Sequence, residues 1–70
     1  MANYKYEKWR VVKIKEQYDQ EIGNTTIQYF TKDQRTLVID WYQTIYPHSP
    51  KVDYKKANRE LIKLFEYHKL

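Results

Sequence analysis

Seventy residues with a formal charge of +4, one glycine and no cysteine describe one small domain that no disulfide can brace. Two histidines, His48 and His68, without the spacing of a ligand set exclude a structural zinc site, and no cofactor is expected. The core must therefore come from two tryptophans, two phenylalanines, some of the eight tyrosines and the Ile/Leu/Val set, because each aromatic buries roughly 150–250 Å².

Gly23-Asn24 and the Pro47 to Pro50 stretch punctuate the chain into residues 4–22, 25–46 and 51–69. The first stretch supports two readings. As a strand, Val12, Ile14 and Tyr18 share one face, and Trp9, Val11, Lys13, Lys15 and Gln17 share the other. As a helix, Tyr4, Val11, Ile14, Tyr18 and Ile22 form a stripe that Gly23 would close. The next segment, Asn24 to Phe30, is β-branched and aromatic and offers a partner strand, which favours a hairpin of residues 8–18 with 25–30. In that hairpin Ile27 and Tyr29 pack inward, while Thr26, Gln28 and Phe30 face out. Residues 4–6 would supply a third short strand.

Thr31-Lys32-Asp33-Gln34 has the spacing of a capping box, with Thr31 accepting at the helix start and Gln34 reaching back. The helix it opens aligns Leu37, Val38, Trp41 and Ile45, and Tyr46-Pro47 ends it. Ser49-Pro50 or Asp53 opens the last helix, which aligns Tyr54, Ala57, Leu61, Leu64, Phe65 and His68. The expected fold is α+β: a small antiparallel hairpin or three-stranded sheet followed by two helices packed on one face. The alternative is an all-α three-helix domain.

Enzymatic signatures are lacking, so a non-enzymatic binding protein is expected. His48-Ser49 is a nucleophile and base in name only, because sequence neighbours at a turn do not face each other and no glycine-rich elbow accompanies them. Two surfaces suit a polyanion. The outer face of the sheet would present Trp9, Lys13, Lys15 and Gln28, with lysines for phosphates and Trp9 and Gln28 for bases. The last helix would add Lys55, Arg59 and Lys63 in a row at four-residue spacing.

The run Tyr29-Phe30-Thr31-Lys32-Asp33-Gln34, a hairpin leading into an amphipathic helix, resembles the small arm-type DNA-binding domains of phage integrases over Trp9 to Tyr46. That resemblance implies a short sheet entering the major groove with a helix behind it. The expected function is a small nucleic-acid-binding or transcription-associated regulator, with DNA preferred over RNA. The competing expectation is a phage- or mobile-element-encoded inhibitor that covers a host enzyme, since tyrosine and tryptophan dominate interface energetics. An acidic protein surface would then be the partner, and a homodimer is a further possibility. With Leu37-Val38-Ile39 as the longest apolar run and no leader-like N-terminus, no membrane partner is expected, and the protein is placed in the cytoplasm of its own or a host cell.

Overall fold

Two short-range signals organise the C-terminal half. Thr31 Oγ1 accepts from the Gln34 amide at 3.2 Å, while Gln34 Oε1 accepts from the Thr31 amide at 2.8 Å. This closed box satisfies amides that a helix start leaves without partners. Asp53 Oδ1 likewise accepts from the Lys56 amide at 2.8 Å. In the computed structural model, which describes residues 6–70, the helices these caps open are α2 (Lys32–Ile45) and α3 (Tyr54–Tyr67). The turn before proline ends α2 as expected, with Tyr46 as its last capping residue.

The N-terminal half overturns the α+β expectation. Residues Lys8–Glu21 form a helix, α1, and Ile27–Tyr29 form one turn of 3-10 helix, so no strand occurs among the described residues. The domain is all-α with three helices, the arrangement held as the alternative. Val11, expected on the outer sheet face, is fully buried, whereas Val12, expected inside, is half-buried. Tyr29 and Phe30 are reversed in the same way, Tyr29 outward and Phe30 in the core. Of the proposed third strand, Tyr4 and Lys5 lie outside the described residues, and Tyr6 is a bend.

The physical reason is where α1 can bury area. Val11, Ile14, Tyr18 and Ile22 recur at helical spacing and all enter the core with Val38, Trp41, Ile45, Ala57, Leu61, Leu64 and Phe65. Each fully buried aliphatic among them contributes about 1.5–3 kcal/mol. A hairpin would have turned Val11 toward water. The helix closes at Gly23, whose φ of +59° lies in the left-handed region and whose amide donates to the Tyr18 carbonyl at 3.2 Å.

Polar contacts set how the helices lie. The Thr44 carbonyl, in the last turn of α2, accepts from the Tyr6 hydroxyl at 3.1 Å and from Arg10 Nη2 at 3.3 Å. Cationic Arg10 thus complements the negative end of α2. At the opposite end, Gln34 Nε2 donates to the Glu21 carbonyl at 3.1 Å, so α1 runs antiparallel to α2. Phe30, just before α2, faces Tyr54, the first residue of α3, at 6.3 Å between centroids. The Arg35 guanidinium lies 5.5 Å from the same Tyr54 ring. The connection from Tyr46 to Asp53 therefore folds back along α2 and sets the starts of α2 and α3 side by side. Tyr18 holds α1 to both: its ring meets Trp41 and, edge-on, Phe65, and its hydroxyl donates to Asn58 Oδ1. Burial pushes the Tyr18 phenol up from 10.0, the Asn58 hydrogen bond pulls it down, and Asp19 adds a smaller upward push.

Candidate nucleic-acid interface

The three cations expected on the last helix fall where the pattern put them. Lys55, Arg59 and Lys63 are all exposed on α3, one turn apart, or about 6 Å along the axis. They line the side opposite Ala57, Leu61 and Leu64, whose burial fixes the rotation of the helix. Among the described residues the ion pairs are Lys15–Asp19 at 2.7 Å and Lys63–Glu60 at 3.7 Å. Lys55 and Arg59 therefore have no carboxylate neighbour there, and Lys63 has a distant one. Lys56, also exposed, flanks the row. The result is a row of cations on a rigid element, with the exposed Glu66 on the same side and Glu60 at its edge.

The residues assigned to a sheet face do not converge. Lys13 and Lys15, on one face of a strand, stand about 200° apart on a helix. Lys13 lies with its ammonium 5.6 Å from the Trp9 ring centroid on the outer side of α1. Lys15 instead leans across Phe65, 5.9 Å from that ring, and is bound by both oxygens of Asp19 at 2.7 and 2.8 Å. Its charge is thus already answered. Gln28 is exposed on the 3-10 turn, away from Trp9 and Lys13 in the chain and on a different element. Lys13 and Lys15 accordingly do not share a face, and the likeness to integrase arm domains loses the sheet on which it rested.

Other expectations resolve locally. The Ser49 hydroxyl is 3.5 Å from the Tyr42 hydroxyl, to which it donates, and the Ser49 amide closes a turn on the Tyr46 carbonyl at 3.1 Å. These contacts account for Ser49 by turn geometry. Elsewhere among the tyrosines, Tyr42 and Tyr46 are buried, Tyr6 is half-buried and Tyr67 is exposed. Among the described residues there is no cluster of His, Asp and Glu able to hold a metal ion, and no helix is long and apolar enough to cross a membrane.

Two features escaped the sequence reading. Tyr29 is 71% exposed, and Arg35 reaches the start of α3. A signal for Tyr29 existed: once Thr31 is the cap, the residue before it tends to pack inward, which sends Phe30 to the core and its neighbour outward. Protein-family models, curated proteins and solved structures were all compared with this chain, and none matches it.

Proposed function

We propose that this is a non-enzymatic helical domain that binds nucleic acid through the exposed side of α3. The observation that carries the reading is the unanswered cation row of Lys55 and Arg59, extended by Lys63 and flanked by Lys56. Such a row neutralises phosphates and releases their counterions, a contribution that is independent of base sequence and strongly salt-dependent. Reading of bases by a sheet is no part of this proposal, because the strands it needed are absent among the described residues.

A salt series on labelled DNA tests it. Binding of the unaltered chain should weaken linearly on a log–log plot, and reversing Lys55→Glu with Arg59→Glu should reduce the slope by about 2. Both side chains are exposed, so circular dichroism should be unchanged. No binding at low salt would reject the proposal. A protein partner is the second reading, favoured by Trp9, which stays 59% exposed although its residue type anchors many interfaces.

A further inference from the structure

We draw no further inference here: the strongest candidate, the surface patch on the outer side of α1 where Trp9 stays exposed with the Lys13 ammonium beside its ring, carries nothing because nothing in the structure shows what covers it.

Discussion

α1 and α3 are helices of equal length, and they reach that state by different routes. α3 begins at an aspartate that caps it, and a broad apolar side, Ala57, Leu61, Leu64 and Phe65, is buried along its length. α1 begins at Glu7, whose side chain makes no capping bond, and within its bounds it buries Val11, Ile14 and Tyr18 while leaving Trp9 in water. Local chemistry marks where α3 begins, and its burial against α2 holds it. α1 depends on what α2 and α3 offer it: a Thr44 carbonyl for Tyr6 and Arg10, and an aromatic niche for Tyr18. Most helical stability in proteins comes from such packing rather than from propensity, and α1 illustrates that more plainly than α3 does.

The contrast can be broken most forcefully at adjacent valines. Val11→Asp should unfold the domain, because an unpaired carboxylate in the core costs several kcal/mol against a total stability on the order of 5 kcal/mol. Val12→Asp, at a half-buried position, should cost less than about 1 kcal/mol. Urea unfolding followed by circular dichroism would measure both, and the opposite ranking would restore the strand.

Tyr18→Phe probes how α1 is held. It leaves Asn58 without its donor and should cost about 1 kcal/mol at neutral pH. The folded phenol is raised above 10.0, so its stabilising effect is full below pH 10.0 and is lost as the pH rises through the raised value. The gap between the two proteins should therefore narrow in alkaline buffer. A gap that stays constant there would mean the phenol is not desolvated.

The smallest effects lie at the caps. Asp53→Ala should cost about 1 kcal/mol, and Glu7→Asp should add about 0.5 kcal/mol by giving α1 the capping side chain it lacks. Thermal melts would show both, and a loss on Glu7→Asp would mean that the start of α1 is already satisfied.

These differences explain what could be read in advance. Thr31 with Gln34, Asp53, and the Tyr46-Pro47 stop act over a few residues, so their spacing alone announced α2 and α3. The α3 row was legible for the same reason, since the helix phase follows from Ala57, Leu61 and Leu64. The stripe of Val11, Ile14, Tyr18 and Ile22 was equally visible, yet Val11-Val12 and the β-branched run at Thr25 to Ile27 argued for paired strands. What decided between them is long-range: the burial that Trp41 and Phe65 provide. Once α1 is helical, Lys13 and Lys15 separate and the expected sheet surface dissolves.

The backward-running connection between α2 and α3 has an electrical consequence. Because Phe30 and Tyr54 touch, the amide-rich beginnings of two helices lie side by side, each equivalent to roughly half a positive charge. Each pole meets a carboxylate of the chain itself, Asp33 in the first turn of α2 and Asp53 at the cap of α3. The two helix starts can therefore lie side by side without repelling each other for as long as both aspartates are in place.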